Sequence, residues 1–160
     1  MISLKKRNQG FTIVELLIVI VVIGILALLV ITTYSGIQAK ARNSKRQTDI
    51  QSIQTQLEAF FSQNGYYPNL KDMQGTAPNG FIDTNMKSLD KNALIDPSNP
   101  TQSNQLADKP AVKVYSYQVT QSDGSTPCEG DDTGCAKYTL TATYEGTVNQ
   151  QSTYVKTNLD

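Results

Sequence analysis

The residues of this chain that could carry chemistry are few, and two cysteines are the most reactive among them. Cys128 and Cys135 flank an acidic, glycine-containing turn with the sequence EGDDTG. Outside the cytoplasm, two cysteines this close together in a turn-rich loop form a disulfide. A metal site at these thiols would need further soft ligands, and the neighbouring sequence supplies none. We therefore predict a Cys128–Cys135 disulfide, and no bound metal or cofactor.

Catalytic residues and calcium ligands are also poorly represented. Glu129, Asp131 and Asp132 could contact calcium, but the spacing of an EF-hand loop is absent and short acidic turns are mostly solvated. The chain has no histidine, so the usual Ser-His and Cys-His nucleophile pairs are excluded. The sequence also has no phosphate-binding loop of the Walker type. It predicts a protein that is not an enzyme.

Charged residues are balanced in number but unevenly placed. The 160 residues carry 14 basic and 14 acidic side chains. Three of the basic ones, Lys5, Lys6 and Arg7, precede a long apolar run, which leaves 11 basic against 14 acidic residues in the rest of the chain. An acidic remainder disfavours general electrostatic binding of nucleic acid, although DNA binding stays open.

The apolar run extends over 21 residues from Phe11 to Ile31 and contains a single charge, Glu15. As a helix it would be about 30 Å long, the thickness of a bilayer's hydrocarbon core. A cleaved secretory signal is a poor explanation, because its apolar part is shorter and a small-residue cut site follows it. A plain signal anchor fits the length but does not explain Glu15. A carboxylate in lipid is costly unless it is paired or reaches headgroup water.

The start of the run resembles a known processing site. The stretch QGFTIVEL at positions 9–16 is similar to the leader junction of type IV prepilins and the related pseudopilins. The likeness continues through LLIV at 16–19, GILA at 24–27 and Tyr34, and covers about the first quarter of the chain. One departure is Thr32, which occupies the place of a proline that many of these pilins carry.

This resemblance implies roles for three residues. A membrane-embedded prepilin peptidase would cut between Gly10 and Phe11 and methylate the new amine of Phe11. Cleavage would leave a cationic amine at the start of a membrane helix, where it needs an anionic partner. Glu15 lies one helical turn away and could pair with the amine of its own subunit. In the family such a glutamate meets the amine of a neighbouring subunit, and we expect this role for Glu15 in assembly.

Beyond the apolar run the sequence predicts that the same helix continues as an amphipathic one. Apolar residues recur there at three- and four-residue steps: Ile50, Ile53, Leu57 and Phe60 or Phe61. Asn64 and Gly65 both tolerate the left-handed conformation that ends helices. A helix from Phe11 to about residue 63 would be ~80 Å long.

Four basic residues follow the apolar run: Lys40, Arg42, Lys45 and Arg46. They could bind DNA, contact anionic lipid headgroups or form a solvated helix face. We predict a solvated face or a headgroup contact.

The remainder of the chain predicts a small antiparallel sheet. Residues 65–110 are rich in proline and glycine and indicate a long connection with one short helix around 86–93. Alternation of apolar and polar residues predicts strands at 111–121, 136–147 and, after a turn at Glu145-Gly146, 152–156. The apolar face of this sheet would pack on the helix stripe. We predict an α+β fold: a long N-terminal helix, transmembrane in its first half, packed on an antiparallel head as in a pilin-like roll.

The chain then divides into four segments. These are a cytoplasmic leader at 1–10, a transmembrane and assembly half-helix at 11–31, an amphipathic half-helix at 32–64, and a head at 65–160. The resemblance implies a structural subunit that polymerises by burying the 11–31 helices in a filament. The precursor would lie in the cytoplasmic membrane with its leader inside, and the mature protein in a pilus at the cell surface.

The resemblance also implies partners and uses. The partners would be further copies of the chain, the prepilin peptidase, an assembly ATPase, a membrane platform protein, membrane lipid and minor pilins. The filament would serve adhesion, twitching motility or DNA uptake. One alternative is a pseudopilin of a type II secretion system. Another, from a different class, is a monomeric membrane-anchored binding module with an uncut leader.

Overall fold

The structure is a computed structural model that describes residues 10–74, 80–99, 101, 106–129 and 133–159. The basic leader residues 5–7 and the acidic pair Asp131 and Asp132 lie outside these ranges, and so does the side chain of Thr32. Contacts group the chain into two units, Met1–Gln38 and Ala39–Asp160, and each is described by itself. We call the second unit the head unit.

A single helix, α1, runs from Ile13 to Asn64. Its predicted end is confirmed: Gly65 has a φ of +77°, and its N–H donates to the Phe61 carbonyl at 2.7 Å. A residue in this left-handed conformation closes the last turn, and glycine adopts it without steric cost. The helix begins two residues later than predicted, because Thr12 adopts the role of a cap.

Two short helices follow, α2 at Leu70–Gln74 and α3 at Phe81–Asn85, and then a 3₁₀ turn at Lys91–Leu94. The predicted helix around 86–93 is therefore wrong. Met86 ends α3 instead of starting a helix, and its N–H donates to the Ile82 carbonyl. The Asp90 side chain accepts a hydrogen bond from the Asn92 N–H, which favours a short capped turn over a continuous helix.

The sheet has three antiparallel strands in the order β1-β2-β3. Their bounds are Ser116–Gln121, Cys135–Val148 and Gln151–Thr157. All three predicted strands are thus found, but β1 begins five residues later than position 111. Ala111 and Val114 bridge each other across a tight turn in which Lys113 has a φ of 62°, so this stretch cannot extend the strand.

The turn between β2 and β3 also differs from the prediction. Glu145 and Gly146 lie within β2, at an irregularity in its pairing with β3. The chain reverses at Asn149 and Gln150, whose φ values are 50° and 66°. Two successive residues with positive φ are characteristic of the two-residue hairpin turn whose twist matches that of the strands. The Gly146 signal marked a bulge and not the turn.

The core of the head unit lies between the second part of α1 and the sheet. Ile50, Ile53 and Leu57 are fully buried, as the stripe predicts. On the sheet, the predicted inner faces are buried at Tyr115, Tyr117, Val119, Tyr138, Leu140, Ala142 and Tyr144, while Ala136 is half-buried. Except for Tyr144 and Ala136, these residues form one hydrophobic cluster with the helix stripe and the short helices. The predicted α+β class, a long N-terminal helix with a small antiparallel sheet, is confirmed.

Candidate processing and assembly segment

The beginning of α1 is held by reciprocal hydrogen bonds between Thr12 and Glu15. The Thr12 N–H donates to Glu15 Oε2 at 2.9 Å, and the Thr12 hydroxyl donates to the same oxygen at 2.8 Å. In return, the Glu15 N–H donates to the Thr12 hydroxyl oxygen at 3.3 Å. This is a capping box, in which the two side chains satisfy N–H groups that have no partner within the helix.

Thr12 is a capping residue that the sequence analysis missed, although T-x-x-E before an apolar run is a recognisable signal. The cap also gives Glu15 a partner in its own chain. The predicted pairing of Glu15 with an amine of Phe11 stays a prediction, because residues 10 and 11 are joined by a peptide bond in this chain.

The apolar segment that follows is exposed on every side of the helix. Each large apolar side chain from Phe11 to Ile31 is exposed, from 49% at Val22 to 87% at Phe11. By length and composition, α1 could cross a membrane. A continuous apolar surface of this size is not stable in water, and it marks contact with lipid or with other proteins.

The basic residues after this segment form only part of the solvated face that the sequence predicts. Arg46 is only 1% exposed and is held by a bidentate ion pair with Asp96, with N–O distances of 2.7 and 2.9 Å. Its guanidinium also donates to Ser98 Oγ at 2.8 Å and to Glu145 Oε1 at 2.9 Å. The prediction is wrong for Arg46, because a fully bonded guanidinium can be buried where an unpaired one cannot.

Arg42 and Asn43 extend this cluster along the same helix. Arg42 donates to Glu145 Oε1 at 2.7 Å and to Oε2 at 2.5 Å. Asn43 accepts from the Glu145 N–H at 2.9 Å and donates to the Glu145 carbonyl at 3.1 Å. The hydrogen bonds from Arg42 are the largest influence on Glu145 and, against partial burial, lower the pKa of its carboxyl to about 2. We call Arg42, Asn43, Arg46, Asp96, Ser98 and Glu145 the polar clamp.

Lys45 and Lys40 complete the basic group. Lys45 pairs with Asp49, which also accepts a hydrogen bond from the Tyr115 hydroxyl at 3.0 Å. Burial raises the pKa of Asp49, against the effect of these two donors. Lys40 is exposed and has no ion pair among the residues that the structure describes. Lys40 and Lys45, whose side chain is 50% exposed, match the predicted solvated face.

The cysteines lie at the beginning of β2 and in the loop before it. Cys128 and Cys135 are joined by a disulfide, with their Cα atoms 5.8 Å apart. The Cys128 N–H donates to the Val119 carbonyl, and the Cys135 carbonyl accepts from the Tyr67 N–H. The bridge therefore joins the β1–β2 loop to the beginning of β2, and the Cys128 hydrogen bond holds the same loop against β1. Within the described ranges, no group of three or more metal-ligating side chains occurs.

Comparison with known protein families finds a match that includes this apolar segment. Residues 5–31 match the family model described as the prokaryotic N-terminal methylation motif. The chain is 38% identical over 74 residues to the type IV major pilin protein PilA of Myxococcus xanthus, an alignment that covers 46% of this chain and 34% of that protein. It is 35% identical over 72 residues to the type II secretion system core protein G of Dickeya chrysanthemi, covering 45% and 47% of the two chains.

The corresponding protein G of Aeromonas hydrophila is 39% identical over 64 residues, covering 40% of this chain and 45% of that protein. The chain thus spans about a third to a half of the length of these relatives. No solved structure matches it significantly. The chain thus carries a prokaryotic N-terminal methylation motif where an exposed apolar helix follows a Gly-Phe junction, and over part of its length it is similar to a type IV major pilin and to type II secretion system core proteins G.

Proposed function

We propose that this chain is a structural subunit of a type IV pilus, which polymerises through its N-terminal helix after its leader is removed. The observation that carries this proposal is the apolar helix surface from Phe11 to Ile31, which is exposed on all sides and lies within the stretch that matches the methylation motif. Such a surface can exchange lipid contacts for contacts with identical helices at little cost in hydrophobic free energy, because both surroundings are apolar.

Processing would divide the chain at the start of this surface. We propose that a prepilin peptidase removes residues 1–10 on the cytoplasmic side and methylates the amine of Phe11. Segment 11–31 then anchors the precursor in the cytoplasmic membrane, segment 32–64 continues the helix, and residues 65–160 form the head. Gly10 stands directly before the proposed cut and is the one glycine in residues 1–10. Because it has no side chain, its backbone can adopt the extended conformation that a peptidase must bind.

Assembly would change the partner of Glu15. In the uncut chain its carboxylate is occupied by Thr12. Cleavage creates a cationic amine at Phe11, and an ionised pair in lipid is far less costly than two separate charges. We propose that Glu15 pairs with the amine of a neighbouring subunit, so that charge neutralisation depends on assembly and sets the register between helices. The Thr12 hydroxyl keeps the carboxylate at the helix start while it is exchanged.

The energy for extraction from the membrane would come from partners. The sequence has no Walker-type loop, so we propose a cytoplasmic assembly ATPase and a membrane platform protein for this step. Minor pilins would be further partners. Adhesion, twitching motility and DNA uptake are the uses that such a filament would serve, with the head units on its outside.

A second candidate function is that of a pseudopilin in a type II secretion system. It is favoured by the similarity of the chain to several proteins named type II secretion system core protein G. Deletion of the gene for this chain in the native cell distinguishes the two functions. Loss of surface filaments with intact protein secretion supports the pilus subunit, and loss of protein secretion with intact surface filaments supports the pseudopilin.

The first experiment is to shear the surface of native cells and identify the N-terminal peptide of the released chain by mass spectrometry. We expect a peptide that begins at methylated Phe11, in material of high molecular weight. Gly10→Val is the matched control, and it should leave an uncut chain in the membrane fraction. If the wild-type chain stays in the membrane and begins at Met1, the proposal fails and the chain is a membrane-anchored binding module.

A further inference from the structure

Among the residues that the structure describes, the outer edge of β1 is covered at both ends but not in the middle. At one end, the Ala107 N–H donates to the Tyr115 carbonyl, and the Tyr117 N–H donates to the Ala107 carbonyl, each at 2.9 Å. At the other end, the Cys128 N–H donates to the Val119 carbonyl at 3.0 Å. The two covering segments thus leave an opening along residues 117–119.

Two main-chain groups face this opening. The Tyr117 N–H and the Val119 carbonyl are bonded to the covering segments, so the Tyr117 carbonyl and the Val119 N–H project from the same edge. Neither group has a hydrogen-bond partner among the residues that the structure describes. Main-chain donors and acceptors near a protein surface are nearly always paired with protein or with water. The opening is therefore a place where one residue of another chain can complete the sheet.

The positions of the Tyr117 carbonyl and the Val119 N–H specify how a residue of another chain would bind to this edge. Ala107 bridges Ser116 in parallel orientation by bonding to the residues on both sides of it. A residue opposite Gln118 could do the same one step further along, by donating to the Tyr117 carbonyl and accepting from the Val119 N–H. No described residue takes this place, because after Ala107 the chain turns away through Asp108 and Lys109 to Pro110. The opening is ~10 Å long at the rise of a β-strand.

The opening lies in a cavity of about 960 Å³ with an unusual set of charges. Lys71, Lys109 and Lys137 line it, together with the carboxylates Asp108 and Glu129. None of these lysines has an ion pair within the described part of the chain, in contrast to Arg42, Arg46 and other bonded cations of the head unit. Asp108 and Glu129 have no ion pair within the described residues either, so the lining carries three ammonium groups against two carboxylates, and this net positive charge favours an anionic occupant.

From this juxtaposition we propose that the cavity binds an acidic peptide segment, one residue of which pairs in parallel with β1 opposite Gln118. The residues on either side of it leave the edge, because the segments at Ala107 and Cys128 cover the neighbouring positions. The main-chain groups provide the docking and the three lysines select carboxylate side chains on either side of the docked residue. An acidic polysaccharide satisfies the charges, but it has no repeated N–H and carbonyl on one side of its backbone to match the strand edge. The binding does not depend on polymerisation of the chain.

The proposal is tested with the full chain in lipid nanodiscs and a fluorescent pentapeptide, acetyl-Ser-Asp-Val-Asp-Ser-amide, by fluorescence anisotropy. We expect saturable binding that weakens ~10-fold or more when the central valine nitrogen of the peptide is methylated, because this removes the one N–H that reaches the Tyr117 carbonyl. A peptide with asparagine in place of both aspartates should also bind ~10-fold more weakly.

Variants of the protein assign the binding to this cavity. The double variant Lys71→Gln and Lys109→Gln should weaken binding of the acidic peptide, whereas Lys87→Gln, an exposed lysine outside the cavity, should not. Both changes are at exposed side chains, so the head unit stays folded. Absence of saturable binding overturns the proposal. Equal binding of the methylated peptide, or tighter binding of an oligogalacturonate probe, also overturns it in favour of a purely electrostatic or glycan site.

Discussion

The two parts of α1 contain similar apolar residues and place them in opposite surroundings. Ile23, in the first part, is 58% exposed, whereas Ile50 and Ile53 are fully buried in the head unit. The first part is apolar around its whole circumference, and the second on the face that meets the sheet. An apolar stripe is thus completed by the folding of its own chain, but an all-round apolar surface requires lipid or other copies.

The two parts of α1 also differ in how their charged side chains are bonded. The charge of the first part, Glu15, is satisfied by Thr12 three residues away. In the second part, Arg46 is satisfied by Asp96 and Glu145, which are 50 and 99 residues distant in the sequence. A local cap can form before anything else folds, whereas the polar clamp can only form together with the head unit. The following predictions test this contrast.

The largest effect is expected from Arg46→Ala. It would leave the Asp96 carboxylate buried without its cation, and the head unit should lose ~3–5 kcal/mol of unfolding free energy. Urea denaturation of the full chain in detergent, followed by near-ultraviolet circular dichroism of the tyrosines, measures this. Lys40→Ala is the matched control and should change little. A loss below ~1 kcal/mol for Arg46→Ala would show that the buried pair contributes little beyond its own desolvation.

The second-largest effect is expected at a buried isoleucine of α1, which we compare with an exposed isoleucine of the same helix. Ile53→Ala creates a cavity in the core and should lower the unfolding free energy of the head unit by ~2–5 kcal/mol. Ile23→Ala removes the same atoms from an exposed position and should leave the denaturation midpoint of the head unit unchanged. Equal effects in the same urea experiment would contradict the division between the two parts of α1.

A smaller effect concerns pH. The pKa of Glu145 is lowered from 4.5 to about 2 in the folded chain, so between these values the unfolded chain binds the proton more readily. The stability from this group is present above pH 4.5 and is lost as the pH falls through about 2. The difference in denaturation midpoint between wild type and Glu145→Gln should therefore shrink over this window. A difference that is independent of pH would contradict the ion-paired state of Glu145.

The smallest effect is expected at the capping box. Thr12→Ala removes one half of the cap and should destabilise the first turn of α1 by ~1 kcal/mol, while Thr12→Ser retains the hydroxyl and should restore it. Hydrogen exchange of the first-turn amides in nanodiscs reports this locally. Unchanged hydrogen exchange in Thr12→Ala would mean that lipid or water replaces the cap. Neither substitution of Thr12 should change the urea denaturation of the head unit.

Local signals in the sequence predicted most of the fold. The stripe from Ile50 to Leu57 and the alternation along β2 specify their buried faces directly, since burial there follows the period of the element. Asn64 and Gly65 marked the end of α1. The start of β1 was misplaced because Lys113 adopts a positive φ without being glycine, which no local rule anticipates.

The polar clamp could not be predicted in this way. A cluster of basic residues on a helix is usually solvated, and the partners that bury Arg46 come from a loop and from a bulged strand far along the chain. Thr12 is a different case, since its T-x-x-E signal is local and readable. Glu15 has two explanations in the sequence, a cap for the first turn of α1 and a carboxylate in an apolar run, and the contacts of the described chain show the cap.

The polar clamp also determines how the head unit would respond to mechanical tension along α1. Arg42, Asn43 and Arg46 are bonded to both the main chain and the side chain of Glu145, and to the loop at Asp96. A pull on the helix from its N-terminal side would therefore reach β2 through these bonds before it strained the apolar contacts of Ile50 and Ile53. Ion pairs and hydrogen bonds that break can re-form while the core is still closed, so the polar clamp would act as a reversible fastening that protects the core from rupture.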